Sequence, residues 1–561
     1  MVCFLTLQPI LPILLSIWPF DPSKDLLTRS RKHPAAGDKR VQDSARLRRV
    51  QGFSDVGLRI EIKTRSLSIL MEGAMKSKER VLAAGMVLVA TVFMVGLGHD
   101  LGASAWGSDL KRPWERREIR KRQMQDKVGG LPENILKQQS LGKVVPPSID
   151  AAVAMALKAA EEAAVPLIDT AFHKGRRLRV PGDFKTIQGA IEAAAPGDMV
   201  VVMPGTYYEL IVMKDGVKLA SDSAESGDEP VTVEGATMSL PRRTLRTIID
   251  GSRASRSHHG MIDFDGGVGR HTVVDGFTIQ HLPKQDHHVP GHAHALNVRG
   301  SSPVIMNCYV RKNGSTGIGS HVVYGDQDQK ISRRDFRWVN VKHRTEAVIY
   351  HNIVSENLGL GIGCNHFSAP HLLGNEVFLN SDAELGHDPS PGMGAKHGAA
   401  PVIIGNIVHD NAGGGILGKV GQRQGAYAID GPTHPNLMTN VVYRNGNVRP
   451  AIACSGGGSM KKPVRFMGNF VYDAGVIGIA VSDGAVAIVE DNLVSGSAGA
   501  GITIDGATAI RLNGNQVTRA DAPGFVIRDG AEVLEMVGNA ADSNRGPRFM
   551  LRGGTIAGFD G

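Results

Sequence analysis

An Asn-x-Val phrase returns through the second half of this chain, at Asn352, Asn375, Asn406, Asn440, Asn469, Asn492 and Asn515, and Asn539-Ala-Ala closes the series. Where nothing is inserted, neighbouring asparagines stand 23 residues apart, and a small residue such as Gly361, Gly415, Gly478, Gly501 or Gly524 opens a strand nine residues after its Asn. A period in the twenties with two or three short strands is a solenoid, because one such repeat cannot bury its apolar face without a neighbour. The Leu-x-x-Leu-x-Leu frame of leucine-rich repeats is missing, and β-branched residues and glycine dominate. The period therefore specifies an all-β chain wound as a parallel β-helix.

Longer intervals read as a coil plus an insertion. Asn375 to Asn406 carries eight extra residues in Ser381–Pro391, and Asn406 to Asn440 carries 11 between two candidate strand starts, Gly415 and Ala426. Ala426 is preferred, since it sets Tyr427 and Ile429 at inward positions. Asn307 to Asn352 spans 45 residues, one short of two coils, with Trp338–His343 as the missing strand. Insertions on one edge of a solenoid usually build its functional surface.

Within each strand, alternation assigns the faces. The second position (Ile318, Val339, Ile362, Met393, Tyr427, Ile452, Ile479, Ile502, Phe525) and the fourth (Ser320, Val341, Cys364, Ala395, Ile429, Cys454, Val481, Ile504, Ile527) face inward. The third, between them, is mostly Gly or Ala, which leaves a shallow trough on the outside.

The formal net charge of +8 suggests a nucleic-acid binder until it is mapped. Residues 1–105 hold 15 Lys/Arg against nine Asp/Glu, leaving 48 against 46 in the body. A nearly neutral body excludes nucleic acid as the main partner.

Residues 1–74 read as a leader or upstream translation outside the mature protein, with no domain pattern. From Met75 a signal-like segment follows: Lys76, Lys78 and Arg80, an apolar run from Val81 to Leu97, and Ala103-Ser104-Ala105 as a small-x-small cleavage site. An uncleaved membrane anchor over 75–105 is the alternative. A periplasmic or secreted location is expected either way, with no other membrane association. Residues 106–177, including the Ala-rich helix candidate Ala151–Ala164, read as linker and helical spacer; 178–561 is the β-helix, expected to act as a monomer.

Thr186 to Ala194 has helical periodicity and precedes the strand Met199–Met203, so it is placed to cap the open first coil. The run from Thr186 through Pro196-Gly197-Asp198 to Pro204-Gly205-Thr206-Tyr207 resembles the opening of right-handed parallel β-helix proteins of the pectin-lyase-like superfamily. Val273-Val274-Asp275-Gly276-Phe277-Thr278-Ile279 is similar to one of their coils. The resemblance covers about Leu178 to Met550. It implies a right-handed helix and mostly extracytoplasmic proteins that act on acidic or neutral polysaccharides as lyases, hydrolases, esterases or epimerases. It says little about activity, since one fold hosts many chemistries.

The specific signatures of those enzymes are absent. Ile262-Asp263-Phe264-Asp265-Gly266 lacks the rest of a pectin methylesterase segment, the polygalacturonase Gly-His-Gly and Arg-Ile-Lys segments are missing, and His387-Asp388-Pro389-Ser390 has its histidine on the wrong side for the Asp-Pro-His of an alginate epimerase.

The chain supplies its own constellation. Position five, outward, reads Arg299, His321, Lys342, Asn365, Lys396 and Asp430 on successive coils, then Ser455, Ser482, Asp505 and Arg528; position six reads His343, His366 and His397. Coils about 4.8 Å apart would cluster three imidazoles and two lysines within roughly 10 Å. Proton abstraction beside a carboxylate needs a base near neutral pKa and cations that stabilise the enolate, the roles of His and Lys. Lys396, His397 and His366 are the catalytic candidates; His321, Lys342, His343, Asn365 and Asp430 would bind substrate, with Glu384, His387 and Asp388 from the neighbouring insertion. A stacked polar ladder with no ligand is the structural alternative.

A second group, His281, Asp286, His287, His288, His292 and His294, could hold a divalent metal such as zinc, copper or nickel, but lacks a zinc motif and lies in a Pro-Gly loop. No cofactor is otherwise expected. Three function classes follow: a polysaccharide lyase or epimerase, a non-catalytic carbohydrate-binding or surface protein, and a periplasmic metal-handling β-helix. Cys364 and Cys454, both inward and three coils apart, are too distant to bond, so Cys308, Cys364 and Cys454 are expected to be free core thiols.

Overall fold

A coil of this chain is built of short strands joined by turns, and from Asn352 to Asn445 two of the turns in each coil are held by buried asparagines. The computed structural model describes residues 130–557, apart from 225–226, 234–235, 256–259, 265, 285–293, 322, 325–340, 344, 382–388, 420–432 and 447; of 236–238, Val323–Tyr324 and Val341–His343 the backbone alone is described. The proposed leader, the signal-like segment, Glu384, His387, Asp388, Asp430, Asp286, His287, His288, His292 and Cys3 lie outside the described residues.

Among the described residues most strands stack into three parallel sheets, and two antiparallel pairs, Asp228–Val233 with Ala236–Pro241 and Val323–Tyr324 with Val341–His343, stand apart from them. Sheet I has 15 strands and runs from Arg177–Val180 to Thr555–Ile556; sheet II has 12, from Gly205–Tyr207 to Ala540–Asp542; sheet III has 12, from Ile211–Val212 to Phe549–Arg552. The middle residue of each short strand points in. On sheet II this column is Val310, Val354, Val377, Val408, Val442, Val471, Val494 and Val517, all fully buried. On sheet III, Ile318, Ile362, Met393, Ile452, Ile479, Ile502 and Phe525 are likewise buried, as expected. Each such side chain contributes about 1.5–3 kcal/mol by leaving water.

The asparagines that mark the period form a ladder. Asn352 donates from its backbone N–H (3.1 Å) and its Nδ2 (3.0 Å) to Oδ1 of Asn375, and the pattern repeats through Asn406, Asn440, Asn469, Asn492 and Asn515 to Asn539. These amides are essentially inaccessible to solvent, so pairing them with one another avoids the cost of unsatisfied buried polar groups. A second ladder, which the repeat analysis missed, stands five residues on: Asn313, Asn357, Asn380, Asn411 and Asn445.

Four α-helices lie among the described residues, α1 (Glu133–Leu136), α2 (Ile149–Ala164), α3 (Ile187–Ala193) and the short α4 (Arg242–Arg246), and the first three bear on the ends and flank of the solenoid. The third is the expected N-terminal cap. Thr186 accepts from Gly189 N–H at its start, and Ile187, Ala190 and Ile191 are buried against the first coils. The segment read as a spacer lies along the solenoid. In α2 the residues Ala152, Ala156, Ala160 and Ala164, one turn apart, form a fully buried stripe, which lets the helix approach the coils closely. A Cβ on Gly405 would stand 2.0 Å from the Ala156 carbonyl. Ala152 packs with Leu493 and Tyr472, whereas Ala164 packs with Val273 and Val304, so the strap runs from late coils back to early ones.

Two register assignments are corrected. Ile318 pairs directly with Ile362, and Val341–His343 pairs antiparallel with Val323–Tyr324. The interval before Asn352 is therefore one coil bearing a hairpin, and Val341–His343 is not a strand of sheet III, while Trp338 to Asn340 lie outside the described residues; alternation suits a hairpin as well as a coil, and a length near twice the period was coincidental. The ladder position facing Asn352 is occupied by Cys308, whose N–H donates to Asn352 Oδ1, and not by Asn307. Likewise Met393 pairs with Ile416 and Lys396 with Lys419, so Gly415 and not Ala426 opens that strand.

Candidate functional site

The outer face of sheet III carries glycine at the third position on three successive coils, Gly319, Gly363 and Gly394, before Leu417 closes the run. A Cβ on Gly319 would fall within 2.4 Å of the His294 ring; without one, the imidazole of the preceding coil lies across the floor. Beside this floor the fifth position reads Arg299, His321, Asn365, Lys396 and Lys419 on five successive coils. The sequence reading had Lys342 and Asp430 in this row. Lys342 belongs to the hairpin, and Lys419 takes the place given to Asp430.

The expected trio of histidines is reduced to two. His366 and His397 stack with ring centroids 4.9 Å apart and planes within 10°. Both have left-handed backbone, φ 50° and 54°, and Phe367 N–H donates to the His397 carbonyl to tie the turns together. His343 lies in the hairpin, paired with Val323, so it does not extend the stack. Burial first, and then the charge of Lys396, push the His397 pKa below 6.5. Although the Lys396 side chain is exposed, its ammonium is partly desolvated, and with the like charges of Lys419 and Arg449 this lowers its pKa too.

Upstream, a polar chain crosses three coils. Asn297 Nδ2 donates to Asp263 Oδ1 at 2.7 Å, and Asn297 Oδ1 accepts from His321 Nε2 at 3.1 Å. Because an amide oxygen can only accept, this bond places the His321 proton on Nε2. The His294 and His321 rings meet edge to face with centroids 6.0 Å apart. His294 was grouped with the metal candidates, but it belongs to the trough, while His281 sits at the end of a sheet II strand and binds Asp250 at 2.9 Å. Among the described residues no group of three His, Cys, Asp or Glu could hold a metal ion.

Sequence reasoning missed Asp263, Asn297, Lys419 and Arg449. The interval of nine residues from Asn406 pointed to Gly415, and hence to Lys419, but the apolar Tyr427 and Ile429 outweighed it. Asp263 and Asn297 had no signal, as both precede the regular repeat.

The edges of this face are where insertions enter and leave the coil. Residues 285–293 and 382–388 lie between a sheet II strand and a sheet III strand, and 322–344 and 420–432 follow sheet III strands. On the later coils the trough neutralises itself. Arg528 pairs with Asp505 at 2.6 Å, and Ser455 donates to Asp483 at 2.5 Å.

A family profile described as "Right handed beta helix region" matches residues 418–558, and one described as "Protein of unknown function (DUF1565)" matches 180–445. No curated protein matches the sequence. Among solved structures, the A-module of a mannuronan C-5 epimerase from Azotobacter vinelandii is 15% identical, with 68% of this chain and 96% of that chain covered and a TM-score of 0.36. The catalytic unit of an α-1,3-glucanase from Streptomyces thermodiastaticus is 11% identical over 68% of each chain, with a TM-score of 0.37. A surface protein and adhesin of Streptococcus pneumoniae is 10% identical, with 67% of this chain and 96% of that one covered and a TM-score of 0.33. From its three parallel sheets, its asparagine ladders and the matching β-helix profile, the chain folds as a right-handed parallel β-helix.

Proposed function

We propose that this protein binds an acidic polysaccharide along the outer trough of sheet III and removes a proton beside a uronate carboxylate, in the manner of a lyase or epimerase. The observation that carries this reading is the single outward row of Arg299, His321, Asn365, Lys396 and Lys419 over a glycine floor, flanked by the stacked His366 and His397. A linear polyanion laid across the coils would meet one donor per coil.

His397 is the base. Its depressed pKa keeps the imidazole neutral near pH 7, as proton abstraction requires. Lys396 and Lys419 face the carboxylate and stabilise the enolate that forms as the α-proton leaves. From that enolate the electron pair either expels the glycosidic oxygen on the β-carbon, which leaves with a proton from solvent water and gives an unsaturated uronate, or takes a proton from water on the opposite face. Localisation outside the cytoplasm, directed by the segment from Met75, belongs to the same proposal.

Incubating the protein with polyuronates, and following the ultraviolet absorbance of the unsaturated product and the proton spectrum of epimerised residues, tests the reading. His397→Ala and Lys396→Ala should abolish turnover while sugar binding persists. Binding with no turnover in the wild type would favour a non-catalytic carbohydrate-binding protein, a reading supported by this chain's habit of stacking identical side chains for structure alone, as in its asparagine ladders. No binding to any polyuronate would overturn both.

A further inference from the structure

The chain enters the first strand of sheet III through Tyr208-Glu209-Leu210, and the second through Gly251–Ser255. Between these turns lies a cleft of about 210 Å³ lined by Tyr208, Glu209, Asp250 and Arg253 among others. That is below the ~300 Å³ at which sites for drug-sized molecules begin, and suits a single sugar ring. The Arg253 guanidinium lies over the Tyr208 ring, 3.7 Å from its centroid.

The carboxylates in the wall are already engaged. Glu209 accepts from the backbone N–H of Ile187 and of Gln188, both at 3.0 Å. Asp250 accepts from Ser252 N–H, Gln280 Nε2 and His281 Nδ1, each at 2.9 Å. Arg253 has no carboxylate partner among the described residues. The cleft thus offers an aromatic surface and a guanidinium with no direct carboxylate partner among the described residues.

It also shares a face with the trough. Val212 pairs with Asp263, Asp263 with Asn297, and Asn297 with Gly319, all in the outward third position. Tyr208, Leu210 and Val212 are 44%, 42% and 51% exposed, an apolar strip on the first coil where the core rules would place polar side chains. From Val212 to Gly394 is five strand steps, roughly 24 Å at ~4.8 Å per coil.

We propose that the cleft is an end subsite for the same polymer. One uronate ring packs against Tyr208 with its carboxylate on Arg253, while the chain continues to the His397 region. This rests on reading the trough as an acidic-polysaccharide site. Only oligomers long enough to span five coils reach both ends.

The test is calorimetric titration of the full chain with oligouronates from dimer to octamer, with neutral glucan oligomers of the same lengths as controls. Wild-type affinity should step up at the length that reaches the cleft. Tyr208→Ala and Arg253→Ala should each remove about tenfold of that gain, the scale of one stacking or charge-assisted contact, and leave dimer and trimer affinity unchanged. Unchanged short-oligomer binding shows that the variants fold. Affinity independent of length, variants that bind like wild type, or equal affinity for neutral glucan would overturn the subsite while leaving the trough reading intact. Failure of every oligouronate to bind the wild type would overturn both.

Discussion

Gln139 and Asn539, 400 residues apart, are joined by two hydrogen bonds: the backbone N–H and Nδ2 of Asn539 both donate to Gln139 Oε1, at 3.1 and 3.0 Å. The glutamine is a rung of the ladder supplied by a different part of the chain. Its own Nε2 donates to the carbonyls of Met536 and Ile135, so it leaves no polar group of the last rung bare.

Replacing Gln139 by Ala should cost about 1–3 kcal/mol for each buried donor left unpaired, and the loss should start locally. Hydrogen exchange should show faster amide exchange at Asn515 and Asn539, with Asn352 and Asn375 unaffected.

The pH dependence of turnover follows from His397. A base must be neutral to act, and burial and Lys396 push its pKa below 6.5. The acidic limb of kcat/KM on polyuronate should therefore lie below pH 6.5, and in Lys396→Met the limb of any residual activity should move up towards it. A limb at or above 6.5 in the wild type would remove His397 from the role of base.

His409, with its side chain only 1% exposed, lies between Phe378 and Tyr443 in a flat stack and is held by Asp410 at 2.7 Å and Glu376 at 3.2 Å. Burial is the largest influence and opposes its charge, yet the bonds and charges of the two carboxylates outweigh it, and the pKa is raised. A raised folded pKa contributes stability in full below about 6.5 that is lost as pH rises through the folded value. Asp410 runs the other way: burial works to raise its pKa, but His409 and Arg444 depress it. Its contribution is present above about 3.8 and is lost as pH falls through the folded value. The melting temperature should fall on the alkaline side, and His409→Gln should flatten that slope.

Cys308, Cys364 and Cys454 are free and buried, and burial pushes each thiol up to about 12. A thiol reagent should find none of the three in the native protein and all three after non-reducing denaturation. A shortfall after denaturation would reveal a bridge.

The coil period and the inward columns were legible because burial forces them to repeat: Ile452, Ile479 and Ile502 can be read by counting. The trough was half legible. His366 and His397 fell where the count placed them, but Lys419 was lost, since two candidate strands competed within one insertion and period-two alternation cannot tell a coil from a hairpin. His409 left no trace in the sequence, because nothing in Ile-Val-His-Asp says that Phe378 and Tyr443 will lie above and below it. The stripe Ala152, Ala156, Ala160 and Ala164 was visible as a helix; its docking site was not, because alanine spacing does not name the glycines it meets.

The strap has a consequence for how the molecule is made. Its residues leave the ribosome before any coil exists, yet the coils against which Ala152 packs, and the rung that Gln139 completes, are encoded hundreds of residues later. Coils can stack as they emerge, from the α3 end onward, and Ala164 can meet Val273 and Val304 early, but the Ala152 end of the strap has nowhere to dock until the late coils have formed. A chain that stops short keeps an unsatisfied asparagine at its growing end and an apolar alanine face in water. Full closure of the strap thus reports that synthesis has passed Asn539, and makes the Gln139 end of the strap late to find its place.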